Sequence, residues 1–221
     1  MYNLKKGLNI PISGSPEGTV SDSTKISHVG ILGPDYIGMK PTMMVEVGDQ
    51  VKIGSVLFED KKNPGVFFTS PAGGLIKSIN RGEKRRFISI EIEVADQENQ
   101  VEILNDSDEI LFRNLSKYGV INNFRTRPFN KTPKPNDIPN DIFVNICDTN
   151  PLSVDPYIYL QHEIDLFNRS LMKLKEIFNC NIHVCYQNND FNNFIDGINY
   201  YNFKGPHPAG LSGTHIHFIK P

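Results

Sequence analysis

Cysteine is scarce in this 221-residue chain, and the three present (Cys147, Cys180 and Cys185) are too few and too irregular for a disulfide framework. They also cannot supply the four thiolates of an iron–sulfur cluster. Long apolar runs are missing: none approaches the roughly 20 residues that span a bilayer. The opening stretch MYNLKKGLNIPISGSP carries Lys5 and Lys6 but breaks at Pro11, Gly14 and Pro16 before a signal-peptide core can form. Charge excess is small, at −2 overall with 22% charged residues, so no global field recruits nucleic acid or an anionic membrane. Hydrophobic content is low at 38%, yet the aliphatic and aromatic runs are too many for a disordered chain. A soluble protein of a reducing compartment is expected, with a core for one large or two modest domains.

What is present divides into two grammars. Residues 1–95 read as all-β, with short apolar stretches such as VEVGDQVKIGSVLFED and FISIEIEV separated by Gly, Pro, Asn and Asp. Strands repeating at about 8–12 residues predict a small barrel or sandwich. The polar passage ADQENQVEILNDSDE marks a boundary, and residues 96–140 read as a connecting segment. Residues 141–221 read as α/β. There DIFVNICD predicts a buried strand, and Asp155 followed by Pro156 predicts a helix start. Leu160, Ile164, Phe167, Leu171, Leu174 and Phe178 then share one helical face. NIHVCY predicts a second strand, giving a βαβ unit with parallel strands.

Three stretches invite chemistry. The loop DTNPLSVDP after the first α/β strand has no glycine to admit a pyrophosphate, and Asp148 and Asp155 would repel one, so no dinucleotide pocket is expected there. In CNIHVC, Cys180 and Cys185 flank His183, but the alternation is that of a strand and predicts buried free thiols. In GPHPAGLSGTHIHFIKP, GTHIHF reads as a strand entered through a glycine turn, with His215 and His217 on one side about 7 Å apart. That spacing suits two zinc ligands, with His207 folding back as a third. No carboxylate or cysteine lies nearby in sequence, so a tight turn rather than a metal centre is expected.

The segment Val45–Asn80 has two glycine-containing turns, Gly48-Asp49 and Gly73-Gly74. It resembles the biotinyl/lipoyl-type hammerhead, in which a lysine on the hairpin between the halves carries the cofactor. Here Lys61 and Lys62 lie near that hairpin tip, but Pro64-Gly65 widens it, so a scaffold without cargo is expected.

Longer stretches carry a broader resemblance. KKGLNIPISGSPE, GPDYIGMKPTMMVEVGDQVKIGSVLFEDKKNPGV, SPAGGLIKSINRGEKR, FRTRPFNKTP, CDTNPLSVDP and the histidine-rich stretch are collinear with the A subunit of the sodium-translocating NADH:quinone reductases. The resemblance covers the N-terminal half of that family. It implies a barrel-sandwich domain followed by an incomplete, Rossmann-like βαβ domain, whose last strand would present an open edge. It also implies a peripheral, non-catalytic role within a six-subunit complex, at the cytoplasmic face of the bacterial inner membrane. The complex passes electrons from NADH to ubiquinone and exports sodium, and the nearest partner is the membrane B subunit. Flavins and the iron–sulfur centre are carried by other subunits, so no cofactor is expected here. The alternatives are a quinone- or flavin-handling redox subunit like the Rnf-type C subunit, or a biotinyl-type carrier. No catalytic or metal residue is assigned. Arg125, Arg127, His207, His215 and His217 are the candidate surface for quinone or a partner. Arg125 and Arg127 alternate on an extended segment and could face a carboxylate, a lipid phosphate or a quinone oxygen. The plainer reading is an interdomain strap whose arginines pair with local acids.

Overall fold

The computed structural model describes residues 1–21, 24–95, 100–101 and 114–221. Its strands are β1 (Tyr2–Asn3), β2 (His28–Leu32), β3 (Pro41–Met43), β4 (Gln50–Val51), β5 (Val56–Asp60), β6 (Phe67–Thr69), β7 (Gly74–Arg81), β8 (Phe87–Val94), β9 (Asp141–Ile146), β10 (Asn181–Tyr186) and β11 (Asn199–Lys204). Among its α-helices are α1 (Tyr157–Leu160), α2 (Ile164–Phe178) and α3 (Ser212–Ile219). Two compact units emerge, one of residues 24–137 and one joining residues 1–23 to 138–221.

The β unit holds two sheets, ordered β2-β8-β7-β4 and β3-β5-β6. Its core stacks Phe58 on Phe68 at 4.6 Å between ring centres, with Tyr36 edge-on to Phe68 at the same distance. Leu57, Ile76, Ile90 and Ile92 complete it with no exposed surface. Strict alternation along β8 would turn Phe87 away from the side that buries Ile90. The register instead skips Ile88, pairing Asn80 with Ser89 and Arg81 with Phe87. That bulge shifts the phase, so Phe87 is buried and Ile88 is exposed.

The expected hammerhead turns are present. Asp49 Oδ2 accepts the Glu46 N–H at 2.7 Å, and Gly48 takes φ 97°. At the other hairpin the buried Asp60 carboxylate accepts the N–H groups of Lys40 and Lys62, at 3.0 and 3.1 Å. Lys61 and Lys62 are exposed. Most of the expected boundary passage, residues 96–99 and 102–109, lies outside the described residues. Within the segment read as a connector, residues 114–137 pack on the β unit. Ile121 enters its core, and the Asn122 side chain donates to the Phe67 carbonyl at 2.6 Å.

The α/β unit is one parallel sheet ordered β1-β11-β10-β9. The Tyr157 N–H donates to Asp155 Oδ1 at 2.9 Å, as the helix start at Asp155-Pro156 predicts. Leu171 and Phe178 bury the apolar stripe of α2. Asn179 then ends the helix in the left-handed conformation. In β10 the residues Ile182, His183, Val184 and Cys185 are all buried, as both faces of a parallel sheet require.

Residues 1–23 group with the α/β unit, where Tyr2 and Asn3 pair in parallel with Phe203 and Lys204. One expectation is corrected. GTHIHF is helical in α3, not a strand. Leu211, His215, Phe218 and Ile219 fall at i, i+4, i+7 and i+8, and the last three pack on the sheet around Phe203. This tertiary burial outweighs the weak helix propensity of Thr, Ile and His.

Gly205 fixes the sheet edge. Its φ is 131°, and a Cβ there would lie 2.3 Å from the Leu4 carbonyl oxygen. Gly205→Ala is expected to destabilise the α/β unit by about 1–3 kcal/mol, read as a lowered urea midpoint. An unchanged midpoint would show that the edge does not need glycine.

Candidate functional site

The sequence-predicted residues divide between the two units. Arg125 and Arg127 belong to the β unit, and His207, His215 and His217 to the α/β unit.

The histidine corner lies beyond the carboxyl ends of β9 and β11, where open parallel sheets commonly bind ligands. His207 is held on several sides. Its N–H donates to Asn9 Oδ1 at 2.9 Å, and its carbonyl accepts the Leu8 N–H at 2.9 Å. Its Nδ1 lies 3.1 Å from Thr149 Oγ1, which also accepts the Gly210 N–H at 3.0 Å. Asn145 Nδ2 donates to the Gly210 carbonyl at 2.9 Å. Gly7 lets the first segment approach, since a Cβ there would sit 2.2 Å from the His207 carbonyl oxygen. Asn9, Asn145 and Thr149 escaped the sequence reading. The signal for Asn145 was a lone amide inside the apolar run DIFVNIC.

His215 has no exposed surface and tilts against Phe203 at 4.2 Å between ring centres. Its Nε2 donates to the Ala209 carbonyl at 2.7 Å, so Nδ1 is the unprotonated nitrogen. Burial pulls its pKa below the usual 6.5, partly opposed by that hydrogen bond. His217 is exposed. Two residues apart on a helix, His215 and His217 project about 200° from each other, so the paired chelating face expected of a strand is lost. Among the described residues, no three side chains of His, Cys, Asp and Glu are grouped to hold a metal ion.

A second polar knot, also missed, lies at the amino ends of β9 and β10. Asp141 Oδ1 lies 2.8 Å from His183 Nε2, 3.2 Å from Asn181 Nδ2 and 3.3 Å from Lys220 Nζ. Burial pushes the Asp141 carboxyl up, but hydrogen bonds from His183, Lys220 and Asn181 outweigh it and hold the group below the usual carboxylate range. An acid opening one strand and a histidine in the next apolar strand were the legible signs.

The arginines do not share a surface through alternation. Arg125 turns back, its Nη1 donating to the Asn122 carbonyl and, at 2.9 Å, to that of Phe124. Its guanidinium carbon stands 5.1 Å from the Tyr36 ring centre. Its partners are thus carbonyls and a ring, not the local acids a strap was expected to use. Arg127 is exposed.

All three cysteines are free and buried. Burial pushes the Cys185 thiol up to about 12 and raises those of Cys147 and Cys180. Little nucleophilic thiolate forms at neutral pH.

Comparison with known proteins matches residues 2–95 to the NqrA N-terminal barrel-sandwich hybrid domain and residues 106–221 to the NqrA second alpha/beta domain. The A subunit of a Na(+)-translocating NADH-quinone reductase from Yersinia pseudotuberculosis is 46% identical over 230 residues, covering 100% of this chain and 52% of the relative. A protein of the same name from Neisseria meningitidis is 47% identical over 235 residues, with the same coverage. One from Histophilus somni is 44% identical over 230 residues. The chain spans about half the length of the curated relatives it matches.

His215 ties stability to pH. With its pKa lowered on folding, its contribution is fully present above about 6.5 and is lost as pH falls through the lower folded value. Urea midpoints taken from about pH 7.5 to about pH 5.5 are expected to fall, and the slope to shrink in His215→Leu. An undiminished slope in the variant would move the effect to another group. Separately, the native chain is expected to leave all three thiols unlabelled by Ellman's reagent until denaturant is added. Rapid labelling without denaturant would contradict their burial.

Proposed function

This chain belongs to the NqrA family, and we propose that it acts as a peripheral, non-catalytic part of a sodium-translocating NADH:quinone reductase, contributing structure and docking surface. The observation that carries the reading is the pair of domain matches, together covering most of the sequence, with 43–47% identity to the relatives of this family. In this reading electrons pass from NADH to quinone through other subunits, and the membrane B subunit supplies the anchor at the cytoplasmic face. The arrangement of the chain's own residues supports such a division of labour. Its thiols are buried with raised pKa values. Among the described residues, no helix is long and apolar enough to cross a membrane.

Of the five candidate residues for a quinone or partner surface, Arg127 and His217 are exposed and are the members free to meet a partner. His207 is half-buried and tied to Asn9 and Thr149, while Arg125 and His215 are engaged inside their own units. Arg127 and His217 are therefore proposed as docking contacts, with the other three as supports.

Removal of this coding region is expected to abolish sodium-stimulated NADH:quinone reductase activity in membranes, and plasmid-borne copies to restore it. The purified chain is expected to show no flavin absorbance and no NADH oxidation of its own. A purified chain that reduced quinone with NADH, or a deletion strain with unchanged sodium-stimulated activity, would sink the reading. Arg127→Glu combined with His217→Glu is expected to weaken co-purification with the membrane subunits without changing the circular dichroism of the chain.

A further inference from the structure

Within the β unit, a cavity of about 480 Å³ opens between the turn after β2, the start of β3 and the tip of the β7–β8 hairpin. Six of its lining residues are basic: Lys40, Lys62, Arg81, Lys84, Arg85 and Arg86. Among the described residues, no acidic one lines it. All six side chains are exposed, and among the described residues none has a carboxylate partner. Asp60, the buried acid beside two of them, has one oxygen occupied by the backbone N–H groups of Lys40 and Lys62. Six like charges around one concavity repel one another and focus a positive field into it.

The hairpin tip is shaped to hold this arrangement. Lys84 and Arg85 take φ 53° and 59°, a left-handed conformation that disfavours side-chain-bearing residues. Gly82 N–H donates to the Arg86 carbonyl at 2.8 Å, and the Arg81 guanidinium donates to the Arg85 carbonyl at 3.4 Å. The tight turn thus carries three consecutive cations, Lys84, Arg85 and Arg86, which line the cavity together with Lys40 and Lys62.

We propose that this pocket binds a phosphate-bearing anion carrying at least two negative charges. Arginine forks match phosphate oxygens in pairs, and the lysines add point charges that a single carboxylate would leave uncompensated. The cavity exceeds the size of one phosphate group, and Tyr36, Ile37 and Met39 line it as an apolar wall for an organic portion. Two sources share this chemistry, an anionic phospholipid headgroup and a soluble polyphosphate. The pocket's chemistry stands apart from the family membership, since it rests on this unit's side chains alone.

The test titrates inorganic pyrophosphate into the purified chain by calorimetry at low salt, and in parallel floats the chain with vesicles of cardiolipin, whose headgroup carries two phosphates, or of phosphatidylcholine. Binding in either arm is expected to weaken roughly tenfold or more in Lys40→Gln combined with Arg86→Gln, and in Lys62→Gln to a smaller degree. The control Lys52→Gln with Lys117→Gln, an equal charge change outside the pocket, is expected to bind as the parent does. Saturable pyrophosphate binding assigns the soluble source, and flotation confined to the anionic vesicles assigns the headgroup; both outcomes support the site. No binding in either arm, or equal loss in pocket and control variants, would overturn it. Circular dichroism of the single Lys62→Gln variant keeps the test independent of folding in the double variant.

Discussion

The α/β unit depends on a short parallel pairing at the edge of its sheet. Tyr2 and Asn3 run beside Phe203 and Lys204, and the Leu4 N–H donates to the Lys204 carbonyl at 2.8 Å. A two-residue strand contributes little by itself. Here it continues into Leu8 and Asn9, which hydrogen-bond both backbone groups of His207, so the edge strand and the loop 205–211 order each other. Tyr2 also stacks on Phe203 at 4.8 Å between ring centres, joining backbone pairing to aromatic burial. The covered edge of β11 is thereby removed as a site for stray pairing.

From that clamp follows the character of the histidine corner. Its place beyond the carboxyl ends of parallel strands is where many α/β proteins put their chemistry. Here the polar groups are largely engaged with one another: Asn145, Thr149 and Asn9 bond His207 and Gly210, and the Ala209 carbonyl accepts from His215 Nε2, while His215 Nδ1 is buried without a partner among the described residues. The basic pocket of the β unit is the opposite case. Its six cations have no carboxylate partners among the described residues, and their charge is left available.

Much of this was legible in the sequence, and the failures have identifiable causes. The stripe from Ile164 to Phe178 marked the crossover helix, because 3.6-residue periodicity is a local signal. But Asp155-Pro156 starts only the short α1 (Tyr157–Leu160), and the 3-10 turn Gln161–Glu163 separates it and Leu160 from α2, a break the periodicity did not reveal. The glycine turns at Gly48 and Gly73-Gly74 announced the hammerhead because they too are local signals. THIHF misled because five residues fit a two-residue period and a helical one almost equally. Only the packing of His215, Phe218 and Ile219 around Phe203 decides between them. The pairing of Tyr2–Asn3 with β11 was not legible because a contact across some 200 residues leaves no mark in local composition. Arg125 and Arg127 were read by alternation, but the carbonyls of Asn122 and Phe124 and the Tyr36 ring draw Arg125 away. The six cations of the pocket are scattered between positions 40 and 86, so only the fold gathers them.

The central claim is that the first segment completes the α/β sheet and makes the histidine corner a structural clamp. Native-state hydrogen exchange of the peptide spanning residues 1–9 tests it most directly. The Leu4 and Leu8 amides donate to Lys204 and His207, so they are expected to exchange with protection well above that of an unpaired segment. That protection is expected to fall in Gly205→Ala. Exchange of both amides at the rate of an unstructured chain would contradict the account.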